Sequence, residues 1–124
     1  MSFFPLVASV IERHAPALSG VYVISAKVQG LLRPIFVGRS INLKQRLKEH
    51  LLPSEPNIRL KSFIQNNQCW YRYTHIPNSD CGALESYLIR ELSPVFNQIK
   101  PIIPFPKLPP KTNPLESLLK TLRR

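Results

Sequence analysis

Asn42, Arg46 and His50 recur every four residues, so on a helix they form one stripe that sets an amide, a guanidinium and an imidazole side by side. A guanidinium there can hold two phosphate oxygens with its planar fork and never loses its charge. An imidazole, with an ordinary pKa of about 6.5, can activate a water or donate to a phosphate. Arg39 stands just ahead of this stretch, where it can contact a flanking phosphate. Tyr22, with an ordinary pKa of about 10, serves as a base only where cations lower that value or a bound water relays the proton. Glu85 is a hard oxygen donor of the kind suited to Mg²⁺ or Mn²⁺. His14 and His75 have no supporting spacing and read as ordinary histidines.

The elements that must position these groups can be read in order. Leu6, Val10 and Ile11 share a helical face between Phe3 and Arg13, and Ala15-Pro16 ends that helix. Val21 to Ser25 and Pro34 to Gly38 are rich in β-branched and aromatic residues and flank a turn at Gln29-Gly30, which predicts a hairpin. Ser40 is the expected cap of a helix with Leu43, Leu47 and Leu51 on its buried stripe, closed by Pro53. A short helix over Ile58–Gln65 carries Arg59 and Lys61, and the alternation from Cys69 to His75 predicts a third strand with Trp70 toward the core. Asp80 is the expected cap of a helix from Cys81 to about Leu92, with Leu84, Leu88 and Leu92 on one face and Glu85 beside them. From Lys100 onward six prolines exclude helix and sheet interior as far as Pro114, and a short amphipathic run ends in Arg123-Arg124.

Composition narrows the partners. The chain has 124 residues, 17 Lys and Arg against 7 Asp and Glu, and a net charge of +10. That length suits one domain with its own core, and that charge attracts polyanions, with nucleic acid and anionic membrane surfaces as the candidates. No apolar run approaches the roughly 18 to 20 residues that span a bilayer, and the first residues lack the charged start of a secretory signal. The expectation is a cytoplasmic protein that binds nucleic acid and does not enter a membrane. Cys69 and Cys81 have no zinc-type spacing and read as two reduced thiols.

Gly20-Val21-Tyr22, then Phe36-Val37-Gly38-Arg39-Ser40, then Asn42 to His50, Ala83-Leu84-Glu85-Ser86 and Pro94-Val95-Phe96-Asn97 follow one another in an order that resembles the GIY-YIG nuclease family. The likeness is greatest to the N-terminal nuclease module of the bacterial excision-repair enzyme, and it covers residues 19 to 98. It implies an α/β (α+β) domain with a small three-stranded antiparallel sheet flanked by helices. The organisation that follows is an N-terminal helix over 1–18, a GIY-YIG-like domain over 19–99 and a Pro-rich basic tail over 100–124.

By the same resemblance Tyr22, Arg39, Arg46 and His50 occupy the catalytic places, Glu85 that of the metal ligand and Asn97 that of a late supporting asparagine. Phe36 departs from the pattern, because the family's second motif normally begins with a tyrosine. The resemblance implies a Mg²⁺- or Mn²⁺-dependent endonuclease acting on nucleic acid, DNA rather than RNA. The alternative is a non-catalytic nucleic-acid-binding module on the same fold, for which Phe36 is the argument. Lys44, Lys48, Arg59 and Lys61 are the expected contacts to the nucleic-acid backbone. A segment of the tail including Pro106-Lys107-Leu108-Pro109 has the composition of a protein-partner ligand.

Overall fold

The structure is a computed structural model that describes residues 2–97; the Pro-rich tail and its expected partner lie outside the described residues. In chain order the elements are β1 (Phe4–Pro5), α1 (Ala8–His14), β2 (Gly20–Val28), β3 (Leu31–Ser40), α2 (Leu43–Glu49), α3 (Ile58–Asn66), β4 (Cys69–His75), α4 (Asn78–Leu92) and a 3-10 turn at Val95–Asn97. The strands form one antiparallel sheet in the order β1-β4-β2-β3.

The hairpin turns where its sequence allows. Gln29 and Gly30 both take positive φ, 52° and 80°, the two-residue turn whose twist matches the strands on either side. The β2–β3 register shifts between Ile24 and Ser25, which face Phe36 and Pro34, so Ile35 is the extra residue of a bulge. β3 is an edge strand, and a bulge on an edge is where a proline without an amide hydrogen can sit in a sheet.

Period-two alternation divides β2 between two faces. Tyr22, Ile24 and Ala26 pack with Ile11, Leu43, Leu47, Leu60 and Tyr71, beneath α1, α2 and α3. Val21, Val23 and Val37 pack with Cys81 and with the partly buried Leu84, Leu88 and Ile89 of α4. Both cysteines are free and buried, and no helix among the described residues is long and apolar enough to cross a membrane.

Several local expectations are corrected. The sheet has four strands rather than three, because Phe4 and Pro5 pair with Tyr71 and Trp70 and the first helix starts only at Ala8. Phe4 is drawn there by its ring contacts with Tyr71 and Tyr73, a tertiary attraction that overrides the helical spacing of Leu6, Val10 and Ile11. Asn42 rather than Ser40 caps α2, with its Oδ1 accepting from Gln45 N at 3.1 Å, while Ser40 Oγ braces Asn42 by bonds of 2.9 Å to its N and O. Asn42 is thereby a structural member of the polar stripe. The same helix ends at Glu49 with His50 as its C-cap, ahead of Pro53. α4 begins at Asn78, so Asp80 lies in its first turn and does not cap it. Trp70 is half-buried with Lys27 Nζ 5.4 Å from its ring centroid, and Tyr71 holds the core position on that strand.

Candidate functional site

Pairing across the hairpin sets Tyr22 opposite Gly38. A Cβ on Gly38 would collide with the Tyr22 hydroxyl oxygen and Cζ and would lie 2.9 Å from Cε1. The glycine is required because the phenol ring of Tyr22 lies across the backbone of β3. Gly38→Ala should therefore push Tyr22 off its partners and lower stability by about 1–3 kcal/mol, the usual cost of overpacking a filled core; a thermal melt equal to the parent's would contradict this placement.

The hydroxyl so placed meets the end of α2. Tyr22 Oη lies 2.5 Å from His50 Nε2, with both residues almost fully buried. On its other side, His50 Nδ1 is 3.0 Å from Glu55 Oε2, off the axis of a well-directed hydrogen bond. Glu55 also receives Arg46, whose two terminal nitrogens donate to Oε2 at 3.0 Å and Oε1 at 3.3 Å, and Oε1 accepts from Asn57 N at 3.2 Å. The Glu55 side chain is wholly inaccessible to solvent, whereas that of Arg46 keeps 24% of its surface. The guanidinium is thus anchored from behind and open in front.

Burial and charge set the protonation states. Burial depresses the His50 pKa to about 4, assisted by the positive charge of Arg46 and opposed by Glu55, so the ring is neutral near pH 7. Burial raises the Tyr22 pKa, Arg46 opposes this, and the charges of Glu55 and Glu85 add to it. At rest Tyr22 is a protonated phenol beside a neutral imidazole.

Phe36 completes this wall. Its ring centroid is 5.4 Å from that of His50, edge-on, and 6.2 Å from that of Tyr22. It shapes the pocket around the Tyr22–His50 pair and offers neither donor nor acceptor.

Arg39 and Glu85 occupy the sheet's other face. Arg39 pairs with Val21 in the register, and its Nε lies 3.5 Å from Glu85 Oε1 on α4. A Cβ at Gly82 would stand 2.5 Å from an Arg39 terminal nitrogen, so the missing side chain leaves a path for the guanidinium along the helix. Burial raises the Glu85 pKa and Arg39 opposes that shift. The two groups of residues flank the same edge strand, near enough for the Glu85 charge to be felt at the Tyr22 phenol. Asn97 fixes that strand: its Oδ1 accepts from Val37 N and its Nδ2 donates to Val37 O, both at 2.7 Å. An apolar groove of about 350 Å³ beside α4, lined in part by Val21, Val23, Leu84 and Leu88, contains none of these site residues.

The expected backbone-binding cations have intramolecular partners. Lys44 lies 4.0 Å from Glu12 and Lys48 pairs with the same carboxylate. Lys61 Nζ donates to Pro53 O at 3.1 Å, and the Arg59 guanidinium is 5.8 Å from the Phe96 ring centroid. Exposed pairs of this kind contribute only about 0–1 kcal/mol and can be exchanged for a phosphate.

Glu55 is the residue of the site that sequence reasoning missed. It lies outside the motifs, in the loop after α2, and its signal is a carboxylate between Pro53 and Pro56 in a chain with only 7 acidic residues. Glu85 by contrast stands apart from other ligands, and no group of three or more His, Cys, Asp or Glu able to hold a metal occurs among the described residues. That excludes an all-protein cage at the described residues. It fits Mg²⁺ or Mn²⁺, which can be held through one carboxylate, waters and phosphate oxygens.

An edge strand pinned between a tyrosine-bearing partner strand and a glutamate-bearing helix places this domain in a nuclease fold class seen in solved structures. The GIY-YIG N-terminal endonuclease domain of UvrC from Thermotoga maritima, bound to its catalytic magnesium, superposes with a TM-score of 0.54 at 26% identity, covering 71% of this chain and 96% of that domain. A point mutant of the same domain, bound to its catalytic divalent cation, gives 0.55 at 24% identity over 72% and 96%. The GIY-YIG catalytic domain model matches residues 18–100, and the chain belongs to the GIY-YIG family. Excinuclease Cho of Salmonella typhi is 31% identical over 87 residues, 68% of this chain. The match spans about a quarter, 27%, of that relative's length.

Proposed function

We propose that this chain is a divalent-metal-dependent endonuclease that hydrolyses phosphodiester bonds of DNA. The observation that carries this reading is the buried 2.5 Å contact between Tyr22 Oη and His50 Nε2, beside an arginine anchored on one side and open on the other. A nucleic-acid binder has no use for an acceptor behind a buried phenol, whereas a hydrolase needs a route by which a water loses its proton. The relatives that support the reading are an endonuclease domain and an excinuclease.

In this mechanism Arg46 and Arg39 hold the phosphate so that the attacking water lies in line with the P–O bond that breaks. As the water oxygen bonds to phosphorus, its proton passes to Tyr22 Oη and the phenol proton passes to His50 Nε2. The leaving oxygen departs from the opposite side and takes a proton from solvent. The approaching phosphate offsets the charge of Arg46 and so raises the proton affinity of His50 when it must act. Glu85 would hold Mg²⁺ or Mn²⁺, which when bound supplies charge stabilisation to the phosphoryl oxygens. Lys44, Lys48, Arg59 and Lys61 contribute attraction along the backbone.

The reading is tested by incubating the protein with duplex, single-stranded and branched DNA, and with RNA, in Mg²⁺, Mn²⁺ or EDTA. Cleavage of DNA in either metal and none in EDTA is expected; binding with no cleavage on any substrate would instead make the domain a binding module. Binding itself should weaken linearly in log affinity against log salt, with a slope of about −0.9 for each phosphate neutralised on duplex DNA. An affinity indifferent to salt, measured by fluorescence anisotropy, would remove the cations from the account.

A further inference from the structure

Glu55 touches both halves of the Tyr22-side machinery and belongs to none of the motifs that define it. Its carboxylate lies 3.0 Å from His50 Nδ1, 3.0 Å and 3.3 Å from the two terminal nitrogens of Arg46, and 3.2 Å from the Asn57 amide, with no surface open to solvent. Its Oε2 meets both the imidazole and the guanidinium, its Oε1 the other guanidinium nitrogen and the Asn57 amide, and the side chain has no solvent-accessible surface.

The geometry points to Glu55 as the positioning residue of the site: it holds His50 in the tautomer whose Nε2 is a bare acceptor, and it orients the Arg46 fork toward substrate. Two steps carry the tautomer. Although the contact is off the hydrogen-bond axis, an unprotonated Nδ1 would leave two electron-rich atoms 3.0 Å apart in a buried site, whereas an N–H there sets a positive dipole end beside the carboxylate, so the proton belongs on Nδ1. The ring is neutral, so Nε2 is then bare and accepts from the Tyr22 hydroxyl. The opposite tautomer would turn Nε2 into a donor and remove the acceptor that the Tyr22 hydroxyl faces. The same carboxylate takes one N–H from each terminal nitrogen of Arg46, one of which also stands 3.7 Å from Glu49 Oε1, and the guanidinium side chain keeps 24% of its surface open for phosphate. Glu55 thus orients, from the side away from substrate, both the proton acceptor and the phosphate clamp.

The inference rests on the nuclease reading for its consequence in catalysis, but its structural half can be measured without any cleavage. In long-range ¹H–¹⁵N spectra of the full chain at pH 7, with His50 assigned by its loss in His50→Gln, the ring should carry its proton on Nδ1. Glu55→Gln keeps the shape but places an amide opposite Arg46 and Nδ1; the ring should shift toward the Nε2–H form, with kcat reduced about 10²- to 10⁴-fold, the range for a misplaced acid or base. Glu55→Asp keeps the charge and should recover part of both the tautomer and the rate. A parent spectrum with the proton on Nε2 overturns the inference, whether or not Glu55→Gln folds. So does a Glu55→Gln protein with the parent's tautomer and kcat. If the parent has the Nδ1–H ring but cleaves nothing, the nuclease reading fails and the positioning of His50 by Glu55 stands.

Discussion

Glu85→Ala should abolish metal-dependent cleavage while leaving DNA affinity equal to the parent's or slightly tighter. On the α4 side of the edge strand Glu85 stands beside a site arginine, with Arg39 Nε at 3.5 Å. Its partial burial and raised pKa mark a carboxylate that gains from a cation, and no cluster of alternative ligands exists among the described residues to replace it. On the proposed mechanism, removing it takes away the carboxylate that would hold the ion, and removes a negative charge that repels phosphate. The change is local, since Glu85 lies on a half-exposed helix face and Arg39 remains free to meet solvent or substrate. Cleavage assays with Mg²⁺ and Mn²⁺, beside binding isotherms in EDTA, separate the two effects. Cleavage by the variant at the parent's rate would remove Glu85 from the mechanism, and loss of binding together with cleavage would show that the substitution had disturbed the fold.

The fold was legible where the signal was local. The Gln29-Gly30 turn, the leucine spacing of α2 and the alternation from Cys69 to His75 are written in neighbouring residues, and β4 has the expected bounds with Tyr71 instead of Trp70 at the core position. The strand at Phe4–Pro5 was not legible, because what holds it is a pairing with Tyr71 and Trp70 far along the chain. The site divides the same way. The helical stripe of Arg46 and His50 has a visible spacing, and the structure brings both to Tyr22. Asn42 shares that spacing but serves the helix as its cap. Glu55 has no spacing to reveal it: its importance comes from desolvation and from two partners on the preceding helix, both of them properties of the packed state. The division of the site over two sheet faces was equally hidden, although the alternation of Val21, Tyr22 and Val23 contains it once the pairing of β2 with β3 is known.

Tyr22→Phe and His50→Ala should each lower kcat by about 10²- to 10⁴-fold, and Phe36→Tyr should change it only modestly. Among the described residues, Tyr22 Oη is the hydroxyl in contact with His50 Nε2; phenylalanine there would keep the ring against Gly38 and delete the proton route. His50→Ala removes the acceptor at the end of that route and leaves the phenol, whose pKa burial already raises, with nowhere to send its proton. Phe36 lies beside both rings without a polar atom, so a hydroxyl added there enters a site whose relay is complete without it. The pH profile distinguishes this account from a merely structural role. With the His50 pKa depressed to about 4 by burial and by Arg46, the neutral acceptor persists down to that value, and the acid limb of kcat/KM should fall near pH 4 rather than near the ordinary 6.5 or so. The stability linkage has the same sign: a folded-state pKa below the unfolded one contributes stability that is present above about pH 6.5 and is lost as pH falls toward 4. His50→Ala should flatten that part of the stability curve along with the loss of rate. Full activity in both Tyr22→Phe and His50→Ala would refute the relay. A parent that binds but does not cut, with cleavage appearing in Phe36→Tyr, would mean that the missing hydroxyl, and not this pair, is what hydrolysis requires.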